Sequence, residues 1–357
     1  MLNTYHPYPV CVLQKLINQL KRAQTLSPEN IAEAVKHLTT ELATVELKAE
    51  FLAALAAKGE SPEEIAAFAM ELRALSAQPL LDAETRAREI LDVCGTGGDH
   101  LGTFNISTTV AIVCAAAGVT VAKHGNRAIT SKAGSADVLE ALGVKIDLPP
   151  QAAARNLREH GFAFFFAPNY HPAFKHIGPA RKLCASRGQR TIFNFLGPLL
   201  NPARPTAQLI GVPSPALCEP MARVLKRIGV RRGIVVCGEV TGGKHLDEFS
   251  ALGPNTIAEF HQERGFTSSA LDASLFPIQP AKLDDLLGGD RGTNAEIIRK
   301  ILRGEDRGPK RDAVLLNASA ALFVAGSVRS MLDGWEKAAR TLDSGAGWEK
   351  LESLRSD

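Results

Sequence analysis

From residue 89 onward, short apolar runs alternate with stretches of helical spacing, and this alternation constrains the fold of the 357-residue chain more than any other feature. Runs at 90–93, 119–122, 162–167, 209–212, 233–237 and 313–316 read as strands. Strands separated by helical stretches pair through crossovers, which predicts a mostly parallel central sheet with helices on both faces. Residues 9–77, by contrast, contain no convincing strand. Leu13, Leu16, Ile17 and Leu20 recur at helical spacing, Ser27 with Glu29 and Asn30 marks a helix start, and Ser61 with Glu64 forms a capping-box pattern. The expected fold class is α/β: a small N-terminal helical domain over 1–80 and a large α/β domain over 81–357. Six prolines, at 168, 172, 179, 198, 202 and 205, punctuate an excursion from the sheet. Part of 168–205 is expected to join the helical domain in space, placing a cleft at the second crossing. The mostly polar stretch 334–357 reads as a surface helix with a frayed end.

A chain of this length exceeds the size at which one core normally stops growing. Hydrophobic residues make up 45% and charged residues 22%, so wholesale disorder is excluded. The net charge of +3 gives no sign of a nucleic-acid-binding surface. Cys11, Cys94, Cys114, Cys184, Cys218 and Cys237 form no CxxC pair, which argues against a zinc site or a disulfide framework and fits reduced thiols in the cytoplasm. The first ten residues do not resemble a secretory signal. Residues 104–122 carry no charge, but the polar start (Asn105, Ser107, Thr108, Thr109) and Gly118 favour a buried helix leading to a buried strand over a membrane span.

Three clusters rich in Gly, Ser, Thr and Asn carry the chemistry: GTGGD at 95–99, NISTT at 105–109 and KHGNR at 123–127. Turns poor in side chains let backbone N–H groups approach an anion, and a helix opening behind them adds its positive end. GTGGD follows an apolar run, so it is placed at the C-terminal end of a strand, where open α/β sheets bind ligands. The oxygens of 105–109 can cap a helix and still face a phosphate or a hydrated metal. Lys123 and Arg127, placed just after a strand, suit several negative charges; His124 alone reads as structural. Ser131, Gly134 and Ser135 precede a helix over 136–142 and form a second anion-receptive start. The adjacent carboxylates Asp247 and Glu248 follow a glycine-bearing loop and become Mg²⁺ ligands in a phosphate-binding fold. Arg181, Lys182, Arg187 and Arg190 supply positive charge beside the second crossing.

In this order the clusters resemble those of the anthranilate phosphoribosyltransferase family. The resemblance runs through GTGGD, TFNIST (103–108), KHGNR, GSADVLEALGV (134–144), HPAFKH (171–176), RTIFNFLGPLLNPA (190–203) and LDE (246–248), with weaker similarity around KGES at 58–61. It implies a nucleoside-phosphorylase-like phosphoribosyltransferase fold, usually a homodimer formed through the helical domain. It implies transfer of the phosphoribosyl group from phosphoribosyl pyrophosphate to anthranilate, giving N-(5-phosphoribosyl)anthranilate and pyrophosphate in tryptophan biosynthesis. Carried over by motif, Gly95, Gly98, Asp99, Thr103, Asn105, Ile106, Ser107, Thr108, Lys123, His124, Gly125, Asn126, Ser131 and Ser135 surround phosphoribosyl pyrophosphate. Gly95, Asn126 and Arg181 contact anthranilate, while Ser107, Asp247 and Glu248 hold Mg²⁺, two ions per monomer. No side chain is assigned as an acid or base.

The chain departs from the family pattern at His100, where glycine is commonest, around Lys244 and His245, and over 43–50 in the helical domain. Two other readings stand beside the transferase: a pyrimidine nucleoside phosphorylase-like enzyme, which shares the implied fold, and a non-enzymatic relative that binds nucleic acid. The arginine segment and the carboxylate pair favour the transferase over the first. Balanced charge argues against the second.

Overall fold

The computed structural model describes residues 12–128, 132–263 and 265–355, and these divide into two compact units. One comprises the described residues up to Ser76 together with His171–Leu196; the other comprises Ala77–Tyr170 and Gly197 onward.

The first unit is helical. Its helices Val12–Lys21, Pro28–Leu38, Val45–Lys58 and Pro62–Ala74 bury Leu13, Ile17, Ile31, Phe51, Leu55 and Phe68, each apolar side chain contributing roughly 1.5–3 kcal/mol. Ser27 and Ser61 cap their helices reciprocally with Asn30 and Glu64. Glu64 does more than cap: buried, it also accepts from the Leu26 N–H at 2.9 Å and pairs with Lys58 Nζ at 2.7 Å. The helices Gly178–Ser186 and Phe193–Leu196 belong to the same unit, and the first is tied to it where buried Lys48 donates to the His176 carbonyl at 3.1 Å and the Cys184 thiol reaches the Ala49 carbonyl.

The second unit is built on one sheet. Its strands are β1 Ile90–Gly95, β2 Thr120–Gly125, β3 Phe162–Phe166, β4 Ala207–Gly211, β5 Arg232–Val240, β6 Lys244–Leu246, β7 Asn255–His261 and β8 Gly265–Leu271. Their order is β3-β2-β1-β4-β5-β7-β8, with β6 pairing β5. The pairings from β3 to β5 are parallel, whereas β5 pairs antiparallel with β6 and β7, and β7 with β8. The helix Ile106–Ala116 is buried almost all round and leads to β2. Among the described residues no helix is long and apolar enough to cross a membrane.

Three expectations are corrected. Residues 313–316 form no strand: they lie inside the helix Pro309–Val324, which is so thoroughly buried that its apolar run carries no helical stripe. The C-terminal stretch forms two helices, Met331–Asp343 and Ala346–Arg355, whose Trp335, Ala338, Leu342, Leu351 and Leu354 enter the core. Finally, β2 continues through Gly125, so Lys123 and His124 belong to the strand.

Candidate active site

The Gly95–Asp99 turn leaves the C-terminal end of β1 in a backbone conformation that needs glycine. Gly97 and Gly98 sit at φ +77° and +95°. A Cβ on Gly95 would lie 2.2 Å from Asp247 Oδ2, and one on Gly211, at the end of β4, 1.6 Å from the Asp247 carbonyl oxygen. The absent side chains are what let the chain at Asp247 lie across the ends of β1 and β4. Gly97 N–H then donates to Asp247 Oδ2 at 2.6 Å, and Thr96 N–H to the Gly211 carbonyl at 2.9 Å. His100, one of the departures from the family pattern, adopts φ +55°, a left-handed conformation that costs an L-residue roughly 1–2 kcal/mol.

The carboxylates converge with the start of the helix Ile106–Ala116. Glu248 Oε1 accepts from Ser107 N–H at 3.1 Å, and Lys123 Nζ, buried in β2, donates to Ser107 Oγ at 3.3 Å and to the Val93 carbonyl at 2.6 Å. Burial pushes Glu248 up to about 7, against the pull of Lys123 and the Ser107 N–H. Asp247 is held well above the usual carboxylate range, first by burial and then by Asp99 and Glu248. Two carboxylates forced together are poised for a cation. Among the described residues no three His, Cys, Asp or Glu side chains converge to hold a metal alone. Asp247, Glu248 and the Ser107 hydroxyl nevertheless form an all-oxygen set, the donor chemistry that suits Mg²⁺ when phosphate and water complete the shell.

The other candidates have distinct placements. Asn105 precedes the helix without capping it through its side chain: Nδ2 donates to the Ala133 carbonyl at 3.1 Å and Oδ1 accepts from Asn294. Thr108 Oγ1 is buried without a hydrogen-bond partner. Ile106 is a core side chain and offers only its backbone. Thr103 bridges to Leu287. The His124 ring turns inward to the Gly197 carbonyl at 3.2 Å. Gly125, Asn126 and Ser135 meet, because a Cβ at 125 would lie 2.2 Å from Ser135 Oγ, which donates to the Asn126 carbonyl at 3.4 Å. Ser131 lies outside the described residues. Arg127 is not a free cation: it pairs with Asp137 and Glu140, each at 3.0 Å. In the first unit, half-buried Arg181 stacks on Phe193 at 5.0 Å, and among the described residues no carboxylate pairs with it. Arg190 stacks over Phe195.

Sequence reasoning missed four contributors. Gly211 carries the usual mark of close backbone approach, a glycine in a strand. Asp92 interrupts an apolar run and is fully buried, holding Asn201 Nδ2 at 2.9 Å and the His124 N–H; Asn201 also donates to the Ala122 carbonyl. Asn294, in the helix Arg291–Leu302, gave no signal.

Comparison with known proteins defines the class first. A glycosyl transferase family is matched in both its parts, the helical bundle domain over residues 13–76 and the a/b domain over 87–348. The chain belongs to this glycosyl transferase family and, within it, to the anthranilate phosphoribosyltransferases. It is 47% identical to the anthranilate phosphoribosyltransferase of Roseiflexus castenholzii over 95% of its length and 96% of that protein's. It is 44% identical to that of Thermomicrobium roseum over 96% of its own length and 95% of the relative's. Among solved structures it resembles the enzyme from Thermus thermophilus, with a TM-score of 0.86 at 41% identity, covering 96% of this chain and 98% of that one. It also resembles the Saccharomyces cerevisiae enzyme in complex with PRPP and Mg, with a TM-score of 0.85 at 26% identity, covering 97% and 98%.

Proposed function

We propose that this chain transfers the phosphoribosyl group of phosphoribosyl pyrophosphate to the amine of anthranilate, releasing pyrophosphate. The observation that carries the reading is the convergence of Gly97, Asp247, Glu248, Ser107 and Lys123 at the C-terminal ends of β1 and β2. Backbone N–H groups, two carboxylates and one buried ammonium there are the complement of a diphosphate with its cation.

Substitution at the anomeric carbon separates pyrophosphate from a sugar that becomes oxocarbenium-like, so the main task is to hold the departing charge. The turn at 95–98 and the helix start at 106–108 carry N–H groups for that charge; those of Gly97 and Ser107 donate to Asp247 and Glu248 here and would turn to the diphosphate when the carboxylates hold the cation. Mg²⁺, when bound, neutralises the diphosphate as its charge grows. Asp247, Glu248 and Ser107 hold the metal, in a reading of two ions per monomer. Lys123 keeps Ser107 oriented. Gly98, Asp99, Thr103, Asn105, Thr108 and the backbone of Ile106 and of 124–126 line the donor, with Ser131 and Ser135.

Anthranilate's aromatic amine is neutral at cellular pH, so its lone pair needs no activating base and orientation matters most. Arg181 anchors the acceptor carboxylate, with Gly95 and Asn126 as further contacts. Burial pulls its guanidinium below its ordinary value, the strain a carboxylate partner would relieve. The remainder of the reading is a homodimer through the helical unit, acting in the cytoplasm in tryptophan biosynthesis. The test is loss of anthranilate fluorescence with phosphoribosyl pyrophosphate, with and without Mg²⁺. Mg²⁺-dependent consumption supports the reading. Inactivity there, with phosphorolysis of thymidine by inorganic phosphate, would replace it with the phosphorylase.

A further inference from the structure

We infer that Asn294 is a positioning residue for the phosphoribosyl donor, fixing the spacing between the start of the helix Ile106–Ala116 and the segment leading to Ser135 through a relay of side-chain amides. The inference rests on the donor site proposed above and names a part of it that touches no substrate.

The relay has four members. Gly289 N–H donates to Asn294 Oδ1 at 2.7 Å, Asn294 Nδ2 donates to Asn105 Oδ1 at 2.9 Å, and Asn105 Nδ2 donates to the Ala133 carbonyl at 3.1 Å. Its two ends are backbone groups of fixed polarity: one can only donate, the other only accept. That fixes the orientation of both amides, since turning either one would set donor against donor or acceptor against acceptor. Asn294 is 2% exposed, so water does not compete for these bonds. Gly288 is packed beside the relay, where a Cβ would fall 2.6 Å from Asn294 Oδ1 and 2.7 Å from Phe104 Cα.

Two members of the relay, Asn105 and Ala133, matter because of what adjoins them. Asn105 stands immediately before the helix Ile106–Ala116, whose first turn gives Ser107 N–H to Glu248. Ala133 stands immediately before Gly134 and the helix Ser135–Ala141. Asn294 thus ties the start of the helix Ile106–Ala116 to the approach to Ser135, and the proposed reading places Ser107 and Ser135 around the donor and its metal. It also explains why Asn105, well placed to cap its helix, makes no capping bond: its amide is committed to the relay.

Two variants separate positioning from bulk stability. Asn294→Asp keeps the acceptor for Gly289 N–H but has no donor for Asn105, whose amide must turn and lose Ala133. Asn294→Ala removes both bonds. Titration of each variant with phosphoribosyl pyrophosphate and Mg²⁺, together with steady-state kinetics, reads the effect. Both variants are expected to raise the KM and Kd for phosphoribosyl pyrophosphate about five- to tenfold, the scale of one buried hydrogen bond, and to leave the KM for anthranilate unchanged. Unchanged donor affinity in a folded Asn294→Asp variant would overturn the inference, as would equal losses for both substrates alongside a matching fall in Tm. If the unmodified protein neither binds phosphoribosyl pyrophosphate nor consumes anthranilate, the failure belongs to the proposed function.

Discussion

The parallel and antiparallel parts of the sheet contribute to the site in opposite ways. At the ends of β1, β2 and β4 the chain contributes by lacking side chains: Gly95, Gly125 and Gly211 admit neighbouring backbone or side chains at distances a Cβ would forbid. The antiparallel excursion through β5 and β6 contributes by carrying charge, delivering half-buried Asp247 and buried Glu248 to a position where both carboxyls are pushed up. Binding geometry built by omission costs conformational entropy in the unfolded chain. Geometry built from buried charge costs stability until a cation arrives. Substitutions at the two places therefore have opposite signatures.

Replacing Asp247 and Glu248 by Asn and Gln is the largest perturbation expected. Turnover at saturating anthranilate should fall about 100-fold or more, because the charge that organises the diphosphate is gone. Calorimetry of the ligand-free protein should show an unchanged or raised Tm; a marked fall would mean that the pair stabilises the fold and that the contrast is misdrawn. Gly211→Ala should instead damage fold and site together, destabilising by about 3 kcal/mol in chemical denaturation as the chain at 247 is displaced. Wild-type stability there would show that this approach is soft.

Asp92 sharpens the comparison, because it is a buried carboxyl within the parallel part. Burial outweighs the help of Lys123, Asn201 and the His124 N–H and sets it at about 6, above the ordinary 3.8. The folded chain thus binds this proton more tightly than the unfolded one. Its contribution is greatest below about pH 4, declines as pH rises through about 6 and is flat above, a change of about 3 kcal/mol. Asp92→Asn should make the decline shallower in denaturation curves collected from pH 4 to 7, the remainder belonging to Glu248 and Asp247, whose carboxyls are also pushed up; an unchanged slope would remove Asp92 from the titration. Arg181→Ala should raise the KM for anthranilate about 10- to 100-fold, the scale of a charge-assisted hydrogen bond, with a smaller effect on kcat. An unaltered anthranilate dependence would remove Arg181 from the acceptor site. The smallest effect is expected for His100→Gly, which relieves a positive φ and should stabilise the ligand-free protein by about 1 kcal/mol in the same denaturation assay.

The contrast also explains what the sequence made legible. Ser27, Ser61 and the runs that became β1 to β5 could be read because capping and strand alternation are local. Residues 313–316 misled because a four-residue apolar run has no period to distinguish a strand from a fully buried helix. β8 escaped notice because GFTSSAL is largely exposed and polar, and gains strand geometry only from β7. Within the site, GTGGD and NISTT announce themselves by composition. The role of Gly211 depends on Asp247, 36 positions further on, and that of Asn294 on Asn105, 189 positions away. Arg127 appeared as a free cation because its partners Asp137 and Glu140 come from the following helix.

The central claim is that side-chain-free turns and the carboxylate pair Asp247 and Glu248 hold one diphosphate and its cation together. Diffraction at the manganese absorption edge, from crystals soaked with phosphoribosyl pyrophosphate and Mn²⁺ in place of Mg²⁺, tests it most directly. An anomalous peak beside Asp247 and Glu248, with diphosphate density against the 95–98 turn and the 106–108 helix start, is the predicted result. Donor density at another place, or a metal peak away from that pair, would contradict it.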